Sequence, residues 1–363
     1  MPRAAVIAAP GGPVEVRDFP RPDLEPGGVL VDTICSEVCG TDVHLFHGRL
    51  GGVPYPLIPG HISVGRVVES RDAHDVDGED VRPGEVVTFL DVHGTCHDCW
   101  YCLVAKASTR CPSRKVYGIT YGADEGLLGG WSEQIYLLPG VKIVKLPPDL
   151  EPRTYIAGGC GMPTALHAID RGEVRIGETV AVQGCGPVGL TATALARIAG
   201  AGKVITLGQP SQRLDVAEAL GADVTINIDD VPADDRPAAV RELTGGRGAD
   251  VTIEATGVPG AVVEGMRMTR DAGRYVVVGQ YTDAGDVTLN PHLDLNQKHL
   301  DVRGTWGIDL SHLHRSVAIL ARHQGTVPWQ QVVSRDYSLE QADDALHDVE
   351  TRRVVKAVIA PNG

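Results

Sequence analysis

From about Glu178 the chain sets five apolar segments, TVAVQ, KVITLG, DVTINI, DVTIEA and RYVVVG, between helix-length stretches such as VGLTATALARIAG and QRLDVAEALGA. Strand-length apolar runs separated by helices predict parallel strands joined by crossovers, a doubly wound α/β sheet. The first of these strands, ETVAVQ, runs into GCGPVG, where Gly184, Gly186 and Gly189 have the spacing G-x-G-x-x-G and a helical segment follows at once. Strand, glycine turn and helix in that order make a cradle for a pyrophosphate. The glycines allow a tight turn and close backbone approach, and the helix start presents unpaired N–H groups. Gly184, Gly186, Pro187, Val188 and Gly189 are therefore candidate contacts to a dinucleotide.

An acidic residue about 20 positions beyond such a loop would accept from the ribose 2′-hydroxyl and repel a 2′-phosphate. The matching place, after KVITL, holds Gly208. Gly208 is expected to leave room, Ser211 to donate a hydrogen bond and Arg213 to supply a cation, with further N–H groups from the start of the helix SQRLDVAEAL. On this ground NADP is favoured over NAD.

At 363 residues the chain exceeds what one hydrophobic core usually supports, so a second domain is expected. It precedes the α/β region: from Ala4 to about Lys145, short β-like stretches (VEVRDF, GVLVDTIC, SVGRVVES, EVVTFL) are broken by Pro and Gly, as in an irregular β-rich domain. After DVRGTWG, a helical stretch around His312 to His323 leads to the strand-like RVVKAVIAP, which is expected to return to the first domain.

Four of the eight cysteines, Cys96, Cys99, Cys102 and Cys111, lie in GTCHDCWYCLVAKASTRC with the pattern C-x-x-C-x-x-C-x8-C. Four thiolates on a tight loop can close a tetrahedral shell around Zn²⁺ with no position left open, which is a stabilising site and not a reactive one. His97, next to Cys96, is expected to be a solvent-facing loop residue. Metal-ligand spacing in place of a disulfide framework points to a reducing compartment, the cytoplasm. Further nitrogen and sulfur donors stand in VCGTDVH, PGHISVG and AGGCGMPTALHA. Three scattered donors would leave the fourth position of a zinc open to water or substrate.

With these motifs in place the chain resembles the zinc-containing alcohol dehydrogenases of the medium-chain dehydrogenase/reductase superfamily. CGTDVH, the G-H-x-x-x-G of Gly60 to Gly65, the four-cysteine lobe, GCG and G-x-G-x-x-G follow one another in the family's order, so the likeness spans essentially the whole chain. The resemblance implies a GroES-like catalytic domain over 1–154 with its zinc lobe at about 93–113. A Rossmann cofactor-binding domain would cover 155–300, and 301–363 would complete the sheet and return to the catalytic domain. It implies Cys39, His61 and Cys160 as ligands of a catalytic zinc, beside a structural zinc in the four-cysteine lobe. Asp42 would orient His61, since a ligating imidazole needs its other N–H fixed by an acceptor. Thr41 would hydrogen-bond the alcohol and take its proton, His44 would pass that proton towards solvent, and Thr164 would contact the nicotinamide. The implied reaction interconverts an alcohol with a ketone or aldehyde, in a homodimer or homotetramer, with zinc as a Lewis acid and NADP or NAD exchanging a hydride.

One departure stands out: the residue after the histidine of G-H-x-x-x-G is usually glutamate in the family and here is Ile62. Two other functions are open to such a chain. One is zinc-independent carbonyl or enoyl reduction on the same fold, which would leave Cys39, His61 and Cys160 without a role. The other is a non-catalytic zinc- and nucleotide-binding protein, which the presence of Thr41 and His44 disfavours. Cys35 is expected to be a buried strand residue, and Cys185 a small residue tolerated in the glycine loop. Trp100, Trp131 and Trp306 are expected to pack or to form contacts, Trp306 at a subunit interface. A net charge of −14 and a pI near 5.3 disfavour nucleic acid and anionic membranes as partners, and no apolar run approaches membrane-spanning length.

Overall fold

The apolar segments after Glu178 form the inner strands of a six-stranded, wholly parallel sheet. Its order is Val224–Asn227, Lys203–Gly208, Thr179–Gln183, Ala249–Glu254, Thr269–Val277 and Asp301–Gly304. Val180, Val182, Val204, Ile205, Val251, Ile253 and Val276 are all fully buried, as strands covered on both faces require. The chain starts at the central Thr179–Gln183 strand, builds outward on one side and then crosses to Ala249–Glu254 on the other. That reversal makes the carboxyl ends of these two strands the place where such sheets bind ligands. Gly184, the residue after the first of them, packs there against the Ala255 carbonyl, which a Cβ at 184 would meet at 2.7 Å.

The computed structural model describes all residues, Met1–Gly363, which divide into two compact units. The sheet belongs to the unit of Gly161–Ile308 and Gly325–Val332; the other comprises Met1–Cys160, Asp309–Gln324 and Val333–Gly363. The first unit runs past residue 154 because the Pro152–Gly158 helix is anchored in it, with the Thr88 hydroxyl donating to the Tyr155 hydroxyl at 2.7 Å. The stretch 301–363 is divided between the units and is not a single return. The helix Leu310–His323 and the last two strands lie in the first unit, and Gly325–Val332 lies in the second.

The first unit is built on a seven-stranded, mostly antiparallel sheet. Its longest strand, Val29–Val38, pairs with Ser63–Ser70, Gln134–Leu137 and the terminal Lys356–Ile359. Fully buried Trp131 packs in this core and donates its indole N–H to the Glu37 carbonyl at 3.1 Å. The Val29–Val38 strand ends one residue before Cys39, and the Ser63–Ser70 strand begins two residues after His61. Strand pairing therefore fixes where both metal-donor candidates emerge.

Candidate functional site

The four-cysteine lobe has almost no core of its own. Its only α-helix, Trp100–Leu103, contains no buried residue, and Trp100 and Val104 are each more than half exposed. The sulfurs nevertheless converge: Cys99 and Cys102 lie 3.5 Å apart, Cys96 and Cys111 3.5 Å, and Cys99 and Cys111 4.0 Å. Tetrahedral Zn–S bonds of about 2.3 Å would set such sulfurs about 3.8 Å apart, so the donor set fits a zinc ion. His97 is exposed, in a left-handed backbone conformation with φ of 53°.

A second set of donors, Cys39, His61 and Cys160, has its ligand atoms all within 4.8 Å of one another. Cys39 is the N-cap of the short helix Gly40–Phe46, and its Sγ accepts the Thr41 N–H at 3.3 Å. Asp42 closes the capping box from the other side, one oxygen accepting the Cys39 N–H at 2.9 Å. The motif CGTDVH is thus a capped helical turn that fixes the thiol's direction. His61 enters after Gly60, whose φ of 87° places it in the left-handed region, and a Cβ there would meet the Trp131 nitrogen at 2.9 Å.

The geometry again suits a metal. His61 Nε2 lies 3.7 Å from Cys39 Sγ, against about 3.6 Å for a nitrogen and a sulfur sharing one tetrahedral zinc. The other ring nitrogen, Nδ1, is buried without a hydrogen-bond partner, and the Asp42 carboxylate stands 4.0 Å from it. Asp42 is therefore in ion-pair range of His61, while its oxygens hold the Cys39 and Gly60 N–H groups.

Electrostatics mark the same cluster. A hydrogen bond from the Cys160 thiol, aided by the His61 charge, outweighs burial and holds Cys39 well below its ordinary value, and the proton they share keeps Cys160 well above. Burial pulls His61 down, but Cys39, Asp42 and Asp91 together push it up to about 10. A site that concentrates this much negative charge around an imidazole, out of contact with water, suits a divalent cation. Burial also lowers His44, with Arg49 adding to the effect, and its Nδ1 is buried and unpartnered. Thr41, partly buried, lies one helical turn before His44.

In the other unit the Thr179–Gln183 strand, the Gly184 turn and the Pro187–Ile198 helix form the expected loop. Gly184 has φ of 103°. A Cβ at Gly189 would crowd the Gly184 carbonyl carbon at 2.7 Å, whereas one at Gly186 would meet nothing within 4 Å. The outer two glycines thus shape the turn, and Gly186 leaves its approach clear. Pro187 and Val188 open the helix, whose N-cap, Gly186, offers no side-chain acceptor to its N–H groups. Thr164 is half-buried on the Gly161–Gly172 helix.

Gly208 does not leave the expected room. A Cβ there would lie 2.9 Å from the Cys185 Cβ and closer still to its sulfur. Cys185 is buried, and its thiol donates to the Gln209 carbonyl at 3.2 Å. The glycine is thus required by the loop's own cysteine. Beyond it, Ser211 begins the Ser211–Ala219 helix and is exposed, and Arg213, half-buried, follows in the same turn. The Gln209 amide packs against the Asp229 carboxylate, with one contact at 2.8 Å.

Sequence reasoning missed a buried ion pair beside the second donor set. Glu37, 1% exposed, and Lys356, fully buried, meet at 2.9 Å, and Glu37 accepts the Cys160 N–H at 2.6 Å. The available signal was one charged residue in each of two apolar strands, ICSEV and KAVI. Cys35 is buried, and burial pushes its thiol up to about 12. Trp131 is fully buried, whereas Trp100 and Trp306 are exposed, Trp306 stacking on Tyr281 with ring centroids 6.0 Å apart.

Comparison with known proteins places both units. Residues 25–148 match the alcohol dehydrogenase GroES-like domain, and residues 187–322 match the zinc-binding dehydrogenase domain. The 5-exo-hydroxycamphor dehydrogenase of Pseudomonas putida is 33% identical over 98% of each chain. An alcohol dehydrogenase from Thermotoga maritima superposes with a TM-score of 0.94 at 34% identity over 99% of each chain. A protein from Sinorhizobium meliloti, described as a zinc-binding dehydrogenase and solved bound to NADP, gives a TM-score of 0.87 at 27% identity over 99% of each chain.

Proposed function

The chain belongs to the zinc-containing alcohol dehydrogenases of the medium-chain dehydrogenase/reductase superfamily and is an oxidoreductase acting on CH–OH groups; on that premise we propose which residues carry the reaction. Cys39, His61 and Cys160 hold a catalytic zinc and leave its fourth position to the substrate oxygen, while Cys96, Cys99, Cys102 and Cys111 hold a structural one. The observation that carries this reading is the convergence of the three donors within 4.8 Å from three separate stretches of chain. When bound, zinc supplies Lewis acidity that eases loss of the alcohol proton, and the nicotinamide supplies the hydride acceptor.

The chain's own groups do the rest. Thr41, at the helix start held by Cys39 and Asp42, hydrogen-bonds the alcohol and takes its proton. His44, kept neutral near pH 7 by burial and by Arg49, relays that proton outward. Asp42 steadies the His61 ring from its Nδ1 side.

Gly184, Gly186, Pro187, Val188 and Gly189 cradle the cofactor pyrophosphate, and Thr164 contacts the nicotinamide. NADP is the favoured cofactor. No carboxylate stands at position 208, Ser211 and Arg213 lie in the following turn, and the relative from Sinorhizobium meliloti carries NADP. We place the protein in the cytoplasm as a homodimer or homotetramer; the exposed Val302 on the edge strand Asp301–Gly304 supports assembly through that edge.

The test is a parallel fluorescence titration of NADPH and NADH into the zinc-loaded protein, followed by turnover of an alcohol panel by wild type and Cys160→Ala. Tighter NADH binding would overturn the NADP preference alone. Undiminished turnover in Cys160→Ala would remove that residue from the ligand set.

A further inference from the structure

The Glu37–Lys356 pair lies within the first unit, sealed from water and in direct contact with a metal-donor residue. Both charges are buried, and Glu37's oxygens are committed: Oε1 to Lys356 Nζ at 2.9 Å, Oε2 to the Cys160 N–H at 2.6 Å, with Cys160 Sγ 3.5 Å from Oε1. Lys356 also donates to the Ile156 carbonyl at 3.0 Å, so the pair grips both ends of the segment that delivers Cys160. Gly159 completes the arrangement. With φ of 47°, a Cβ there would stand 2.7 Å from Glu37 Cδ and collide with its Oε2 and the Lys356 ammonium.

Stability does not account for such a pair, because well-packed apolar residues in place of a buried ion pair are often neutral or stabilising. The pair's position does. The Glu37 N–H donates to the Ile62 carbonyl at 3.0 Å, and neighbouring Ser36 is in register with Ser63. Glu37 therefore stands across the strand pair from Ile62, the residue after His61. A carboxylate beside a metal thiolate would be repelled if it stood alone, and Lys356 supplies the compensating charge in a place no solvent cation can reach.

We propose that Glu37, held by Lys356, is a positioning residue of the catalytic metal centre: it orients Cys160 towards Cys39 and His61 and sets the strength with which the triad holds its metal. Its oxygens are not among the converged donor atoms, so it acts through Cys160. The inference rests on the reading of Cys39, His61 and Cys160 as a metal site.

The experiment uses the full-length protein with zinc in the four-cysteine lobe and Co(II) at the triad, isolated as the difference in visible absorption from Cys39→Ala. Chelator competition then gives the affinity. Glu37→Gln should bind Co(II) stoichiometrically but about 10- to 100-fold more weakly, with shifted visible bands and an unchanged melting temperature of the metal-free protein. Glu37→Gln leaves Lys356 as a buried, unbalanced cation. The double variant Glu37→Gln/Lys356→Gln, which removes both charges, is therefore measured beside it and should show the same loss. Wild-type affinity and spectrum in the double variant would overturn the proposal while leaving the triad intact. Wild-type protein that loses no Co(II) signal on Cys39→Ala would overturn the triad and the proposal together.

Discussion

Cys185 and Gly208 are sterically matched: the thiol of one occupies the space in which a side chain on the other would begin, and a Cβ at 208 would lie 2.9 Å from the Cys185 Cβ. Any acid introduced at 208 to repel a 2′-phosphate must first displace that cysteine. Gly208→Asp alone should cost roughly 1–3 kcal/mol by overpacking. Combined with Cys185→Gly it should recover most of that stability and lower the NADPH-to-NADH affinity ratio at least about tenfold, the effect of a carboxylate facing a phosphate. Thermal melts and cofactor titrations of the single and double variants decide it. Equal stability of the two variants would show that the cysteine is not the obstacle.

His61 exposes the opposite problem, a buried Nδ1 with no hydrogen bond and a carboxylate 4.0 Å away. Asp42→Asn keeps an oxygen for the Cys39 N–H but removes the charge facing the ring. Metal affinity at the triad should fall about 10- to 100-fold while the far-ultraviolet circular dichroism stays unchanged. An unaltered zinc dissociation constant would mean that Asp42 serves the helix cap alone.

His44→Gln separates a proton relay from a packing role. Glutamine fills similar space but cannot accept the proton, so kcat should drop by about 100-fold near neutral pH with little change in KM. The deficit should shrink as pH rises, because hydroxide can then take the proton directly. A deficit constant across pH would assign His44 to packing.

Much of this architecture was legible because its determinants are local. The Gly184 loop, the Cys96 to Cys111 spacing and the CGTDVH cap each act within one short stretch, and each folds on its own terms. Gly208 was legible as a missing acid but not as filled space, since what abuts a glycine depends on a residue from another turn. Glu37 and Lys356 were illegible for the same reason. They meet only because the last strand of the chain pairs with Val29–Val38, and nothing in either strand names its partner.

The four-cysteine lobe yields a sharper stability prediction. With no buried residue in its helix, apolar burial cannot hold it, and the cysteines must. Cys99→Ser, or a strong chelator on the wild type, should open residues 93–113 to limited proteolysis before any other segment is cut. A lobe still resistant after proven loss of its metal would show that other contacts suffice.

The last prediction concerns pH. Asp309 caps the Leu310–His323 helix, accepting from the Ser311 and His312 N–H groups at 3.0 and 3.3 Å, and pairs with His312 Nδ1 at 2.8 Å. The His312 hydrogen bond, seconded by Ser311 and opposed by burial, holds its carboxyl well below the usual aspartate range. A carboxyl lower in the folded than in the unfolded chain adds stability that is fully present above the unfolded value of about 3.9 and is lost as pH falls towards the folded value. Asp309→Ala should therefore cost about 1 kcal/mol at neutral pH, the usual worth of such a cap. That difference should narrow between about pH 5 and pH 3, while the other carboxyls, common to both proteins, cancel from the comparison. Denaturant unfolding of both proteins across that range reads it directly. A gap that stays constant down to pH 3 would show that the cap works through its backbone geometry and owes nothing to the carboxylate's charge.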